Sequence, residues 1–308
     1  VTILLGRKIL HESKDPNAQR KVDYPSVVFG FTGIALVVLG ISQSEAWGWT
    51  DTKTLVSIVL GIILVTLFVQ RCRVVTSPLL DLKLFRLPFV LAANLSGLLF
   101  SVGFIGMWLL NTFWLQAVWG YGVALSGLAT MPGPGMAALV APFAGKYATK
   151  FGHARVLLTG SIMLSVGTFG LTTFIPIEPN YLTHYLPWML LTGFGVGLSI
   201  STLSSSATAF LKPAQFAMGS ALNNTARQIG TALGAALSLA IAAPALGRIE
   251  AARQVGTSLD LVDITEMHVA WIMNGFVYLV AGITMITIFR KPTEAQMDDA
   301  RATIKFED

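Results

Sequence analysis

At 308 residues, with 54% hydrophobic and only 12% charged residues and a mean hydropathy of +0.67, the chain carries about half the ~25% charge of a soluble domain and reads as a membrane protein. The formal charge of +5 is not gathered into one patch, which argues against a nucleic-acid partner. The single cysteine, Cys72, excludes an internal disulfide and a cysteine metal cluster, so its thiol reads as packing.

Apolar runs occur near 26–43, 54–70, 89–111, 125–145, 156–175, 186–208, 218–242 and 267–289. Each is close to the ~20 residues that cross a ~30 Å hydrocarbon core, and each is too long and continuous for a membrane strand. Backbone in lipid must satisfy its own hydrogen bonds. The expectation is therefore an all-α membrane protein with eight transmembrane helices.

The opening "VTILLGRKIL" has no initiator Met and resembles the last turn of a helix whose beginning is absent, so more spans are expected upstream. The polar segment 6–25, closed by Pro25, reads as a cytoplasmic linker. Two spans follow over 26–87, separated by "SEAWGWTD", where Trp47 and Trp49 suit a membrane interface. Six further spans occupy 88–290, and 291–308 reads as a solvated cytoplasmic tail.

On the third span Asn94, Gly97, Ser101, Phe104, Trp108 and Asn111 follow a 3–4 spacing and share one face. The fourth span holds Pro132, Pro134 and Pro142, which mark either a cavity or hinge, or a statically kinked helix. It ends at "GKYATKFGHAR" (145–155), a basic loop without an acid. On the sixth span Gly193, Gly197, Ser201 and Ser205 recur every four residues, as do Gly230 and Gly234 on the seventh. Small residues let helix backbones approach closely in lipid, so these read as packing.

The seventh span carries Ser220, Asn224, Arg227, Gln228 and Thr231 on one face, which is too polar for lipid. An arginine near mid-span costs ~2.5–3.5 kcal/mol on insertion scales. Arg227 either faces the bundle interior or a water path, or snorkels to the cytoplasmic end and pairs with carbonyls. Residues 243–266 read as the longest outer loop, with a surface helix suggested by Arg248, Glu250, Arg253 and Asp260.

Of the 21 Lys and Arg, 17 fall in alternate loops, which by the positive-inside rule places both ends of this chain in the cytoplasm. The four histidines are scattered, and neither a paired-histidine zinc site, a nucleophile elbow nor a phosphate-binding lysine loop is present. Neither an enzyme nor a metal site is expected.

The strings "SEAWGWTD", "SPLLDLKLFRLPFVLAANL", "NTFWLQAVWGYGVALSGLATMPGPG", "GKYATKFGHAR" and "GSALNNTARQIGTALGAAL" occur in this order. Together they resemble the C-terminal part of a fourteen-helix drug:proton antiporter of the major facilitator superfamily. That resemblance implies that spans one and two are the family's two inserted central helices. Spans three to eight would be its six-helix C-terminal bundle of two three-helix repeats, with an N-terminal six-helix bundle missing. It also implies that 145–155 is a second copy of a cytoplasmic G-x-x-x-D-R-x-G-R-R element. Gly145, Lys150 and Gly152 match conservatively and Arg155 lies one place beyond the pattern, but Thr149 stands where the acid would be. Without that acid the loop reads more as a topology anchor than as a gate.

The resemblance implies proton-coupled efflux of hydrophobic or cationic drugs from a bacterial inner membrane, with the proton gradient in place of a cofactor and lipid and a small-molecule substrate as partners. Asn94, Asn111, Gln116, Asn224, Arg227 and Gln228 are the candidate path residues, with Trp108 and Phe113 as apolar substrate surface. Arg227 opens a second reading, export of an organic anion, siderophore or lipid-like metabolite. A non-transporting receptor or scaffold is a third. None of the 16 acids lies deep in a span, so coupling carboxylates are expected upstream.

Overall fold

Each apolar run closes its backbone hydrogen bonds within itself, and the regular structure is helical throughout the described residues. A computed structural model describes residues 23–75, 82–211 and 216–293. The linker expected over 1–25 lies outside these except for 23–25, as does the tail beyond 293. The helices are α1 (Tyr24–Ser42), α2 (Thr52–Val74), α3 (Pro88–Phe113), α4 (Val123–Thr130), α5 (Pro132–Phe151), α6 (His153–Phe174), α7 (Leu186–Ser206), α8 (Phe216–Val255) and α9 (Thr265–Ile288). With α4 and α5 taken together, eight spans among the described residues are long and apolar enough to cross a membrane.

Local chemistry sets the boundaries. Proline occupies the first turn of α1, α3, α5 and α7, where its missing N–H would have had no intrahelical partner. The α2 start is capped by Asp51, which accepts from the Lys53 N–H at 2.8 Å. Of the three prolines in the fourth span, Pro132 begins α5 after a break at Met131 and Pro142 lies inside α5.

The outer loop expected over 243–266 is half helix. α8 runs on through Pro244 to Val255, because Ala245, Ile249 and Ala252 recur at helical spacing and are buried, holding the extension down on the bundle. Arg248 on the extension pairs with Glu266 at the start of α9 and donates to the Asp263 carbonyl at 2.9 Å. Asp263 Oδ1 accepts from the Thr265 N–H and hydroxyl at 3.0 and 2.6 Å, and these bonds hold its carboxyl below the usual carboxylate range.

α3 to α9 form a ring in the order α5, α7, α6, α9, α3, α8. α3 packs on α8 and α9 as α7 packs on α5 and α6, while α6 and α9 close the back. The two three-helix halves are thus related by exchanging α3 with α7, α5 with α8 and α6 with α9. α5 and α8 share no extended contact, and the ring is open between them.

Both arms are held by backbone approach. A Cβ on Gly230 would collide with the Leu98 carbonyl, and one on Gly234 with that of Val102. On the other arm Gly197 would place a Cβ 2.7 Å from the Ala137 carbonyl, and Gly193 faces Gly133. Such seams supply the dispersion contacts that drive helix association in lipid. Interhelical hydrogen bonds add to them: Ser96 to the Ala281 carbonyl at 2.9 Å and Ser165 to that of Gly275 at 2.8 Å.

α1 and α2 form a tight hairpin, with Gly61 against the Gly33 carbonyl, and lean on α8. Their apolar outer faces, including Phe31, Val56 and Ile62, are exposed to what is lipid in the cell. The base of the hairpin is tied by Arg71, whose Nε and Nη2 donate to Asp23 at 2.9 Å. These bonds hold the Asp23 carboxyl below its ordinary range.

Candidate functional site

The polar residues of α8 fall on two flanks. Asn223, Arg227, Gly230 and Gly234 follow the seam with α3, whereas Asn224 and Gln228 are exposed on the side of the ring opening. Asn223 is buried and donates to the Ala93 carbonyl at 3.0 Å. Arg227 lies over Gly97, whose absent side chain makes room for it: a Cβ there would sit 3.3 Å from Arg227 Cγ. The arginine is half-buried, and its Nε is buried without a hydrogen-bond partner among the described residues. A desolvated N–H of a cation is costly to leave unpaired.

On α3, Gly97, Ser101, Phe104 and Trp108 share one flank by helical spacing; Gly97 lies under Arg227 of α8 and Ser101 is buried, so the flank is uncovered only toward Trp108. Phe104 stacks on Phe100 at 5.7 Å, and Trp108 is 45% exposed. Along this side of the ring α3 contributes the exposed Trp108 and α8 two exposed amides, Asn224 and Gln228, with the half-buried Arg227 between those amides and the seam.

The other candidates lie elsewhere. Asn111 is buried in the bundle, accepting from Trp271 Nε1 at 3.1 Å, with its amide nitrogen 3.9 Å from Met189 Sδ. Phe113 packs against the apolar cluster of Trp114, Tyr185 and Trp271. Gln116 is half-buried in a single π-turn, Trp114–Val118, that continues α3. Asn94 is 2% exposed and lines a pocket between α3, α8 and the α1–α2 hairpin.

In the loop element Gly145 and Lys150 are exposed on α5, and Thr149 is exposed with its hydroxyl on the Lys146 carbonyl at 2.8 Å. Gly152 makes the turn into α6 at φ +90°, a conformation that favours glycine. Arg155 is exposed at the rim of a pocket of about 410 Å³ that includes Tyr147, Phe151 and Phe194.

Three polar residues of the bundle escape a stripe-based reading. Asn223 is masked by its neighbour Asn224, and the Asn274 amide donates to Ser238 Oγ at 3.3 Å between α9 and α8. An asparagine inside an apolar run was the available signal for Asn274, and counting back seven residues from Gly230 was the signal for Asn223.

The chain's likeness to known proteins agrees with this architecture. The pattern described as Major Facilitator Superfamily matches residues 135–305, more than half of the chain. A puromycin resistance protein of Streptomyces alboniger is 30% identical over 76% of this chain and 47% of its own length. A multidrug resistance protein B homolog of Mycobacterium tuberculosis is 31% identical over 72% and 42%. A lincomycin resistance protein of Listeria monocytogenes is 28% identical over 90% and 58%. The chain thus spans about half the length of the curated relatives it matches. With six helices in two related halves and this match, the chain belongs to the Major Facilitator Superfamily.

Proposed function

We propose that the protein works as a secondary active exporter that moves hydrophobic and cationic compounds out of the cytoplasm in exchange for protons. In this reading 26–87 is an inserted helix pair, 88–290 is one six-helix bundle, and a second six-helix bundle covers the open face between α5 and α8. The observation that carries it is the polar flank of α8. Asn224, Arg227 and Gln228 sit within a membrane span, with Asn224 and Gln228 exposed and Arg227 half-buried, an arrangement that suits a water-filled path and not lipid.

Relatives named for resistance to puromycin, to lincomycin and to multiple drugs support drugs as the substrate class. Substrate passage would rock the two bundles about the path. Coupling carboxylates would come from the second bundle, since no Asp or Glu of this chain lies deep in a span. The Lys and Arg distribution and the bacterial relatives support an inner-membrane location with both ends of this chain cytoplasmic. The loop 145–155 would anchor that topology.

One observation favours a second reading. Arg227 offers a cation whose Nε has no hydrogen-bond partner among the described residues, which suits an organic anion as cargo. Everted vesicles energised to an acidic interior separate the two. A cationic dye is expected to dissipate the pH gradient with wild-type protein and with Arg227→Gln. Dissipation by organic anions alone, lost in Arg227→Gln, would establish the second reading instead. No response to either class would overturn both.

A further inference from the structure

α5 and α6 each pack along α7 but touch one another little, and the gap between them is a groove of about 410 Å³ with α7 as its floor. Phe194 and Leu198 form that floor, Tyr147 and Phe151 one wall, and Arg155 and Thr159 the other. The groove lies on the outside of the bundle. At about 100° per residue, Phe194 and Leu198 stand nearly opposite Val196, which packs in the inner core with Phe100 and Met107.

The walls continue toward the middle of the span as apolar stripes. On α5 Leu139, Phe143, Tyr147 and Phe151 recur every four residues and are 48–68% exposed. On α6 Ile162 and Val166 extend the line of Arg155 and Thr159 and are exposed as well. From Leu139 to Phe151 the track is about 18 Å long at 1.5 Å per residue, so an extended hydrocarbon chain can lie along it.

At the loop end the chemistry reverses. Gly152 turns the chain at φ +90°, and Arg155 returns to the groove wall. Lys150 Nζ lies 5.3 Å from the centre of the Phe151 ring, which lines the same groove. His153 is turned away, against Phe289 of α9. Neither the Lys150 ammonium nor the Arg155 guanidinium has a hydrogen-bond or ion-pair partner among the described residues. No Asp or Glu occurs over 82–177 or 179–249, so α5, α6 and α7 carry no carboxylate to neutralise them. Two unpaired cations at the end of an apolar groove are the complement of a molecule with an anionic head and a long apolar body.

We propose that this groove binds an anionic phospholipid of the cytoplasmic leaflet, with its phosphate between Lys150 and Arg155 and an acyl chain along Tyr147, Phe151 and Phe194. The leaflet follows from the topology proposed above. The site is separate from the polar flank of α8 on which the export reading rests.

The test uses the full-length protein in phosphatidylcholine nanodiscs with a small fraction of a lipid carrying a diazirine on one acyl chain, either phosphatidylglycerol or phosphatidylcholine. Labelled residues are located by mass spectrometry. Phosphatidylglycerol is expected to label the groove about five- to thirtyfold more than phosphatidylcholine, the range that one to two cations provide against an anionic lipid. Lys150→Gln combined with Arg155→Gln should lower phosphatidylglycerol labelling to the phosphatidylcholine level and leave the latter unchanged, which also reports an intact groove. Arg73→Gln, which removes an exposed cation from the last turn of α2, should leave the preference as it is. Thr159→Trp should block both lipids. Equal labelling by the two lipids in the unaltered protein, or a preference that survives the double substitution, overturns the proposal. A preference that falls as far with Arg73→Gln reports diffuse attraction to the surface and overturns it too. A preference that appears only with Asp298→Asn and Asp299→Asn assigns the cations to acids of the chain's own C-terminal segment, which is a third way for the proposal to fail. Should the double substitution fail to fold, Arg155→Gln alone decides, with an expected loss of about fivefold. Labelling requires no transport, so its failure and the failure of the export reading are distinguishable.

Discussion

Asn223 and Asn224 are neighbours in sequence but stand about 100° apart around a helix of 3.6 residues per turn, and that rotation gives them different work. Asn223 is buried and bonds α8 to the Ala93 carbonyl of α3, whereas Asn224 is exposed beside the ring opening. Asn223→Leu should destabilise the bundle by about 0.6–1.7 kcal/mol, the range measured for interhelical hydrogen bonds in membranes. Asn224→Leu should leave stability within about 0.5 kcal/mol and reduce dye-driven dissipation of the pH gradient. Denaturation in mixed detergent micelles checks the first statement, and vesicle transport the second. Equal stability loss in the two variants would remove the distinction drawn between the flanks.

At the scale of elements, the α3–α8 seam depends on what its glycines lack. A side chain on Gly234 would strike the Val102 carbonyl, which is backbone and has little room to yield. Gly234→Leu should therefore cost about 1–3 kcal/mol or more through overpacking. By contrast, a Cβ on Gly247 in the α8 extension meets nothing within 4 Å, so Gly247→Ala should stabilise by about 0.5–1 kcal/mol through helix propensity. Thermal unfolding of the two variants in the same detergent compares them directly. The four-residue repeat of these glycines was legible in the chain, and so was the packing role it implies, because spacing alone puts small residues on one stripe. The partner helix was not legible, since nothing local says which backbone will approach. The continuation of α8 through Pro244 was obscured for a related reason. A proline and a cluster of charges read locally as an end, while burial of Ala245, Ile249 and Ala252 against the bundle keeps the helix going. Asn94 was legible as a polar residue on the α3 stripe. Its place beside the α1–α2 hairpin depends on how α3, α8 and the hairpin meet, a property of their packing and not of any one helix.

At the scale of the whole molecule, two kinds of exposed surface must be told apart, because lipid and an aqueous path both leave side chains uncovered in an isolated bundle. Ile283 on α9 is 52% exposed among other apolar residues such as Phe276 and Val280, which is the chemistry of a lipid face. Gln228 on α8 is exposed beside Asn224 and Arg227, which is the chemistry of a water path. Thiol reactivity separates them, since maleimides react with the thiolate and a cysteine ionises only where water reaches it. In a Cys72→Ser background, Gln228→Cys should react with a membrane-impermeant maleimide and be protected by a transported dye. Ile283→Cys should stay unreactive in the intact membrane and react once the protein is denatured. If Gln228→Cys proves as inert as Ile283→Cys, the α8 flank faces lipid or a dry interface, and the open side of the ring is not a substrate path. If it reacts and the dye protects it, the polar flank of α8 is the wall along which cargo passes, and the second bundle must stand across from it at a distance that leaves room for water.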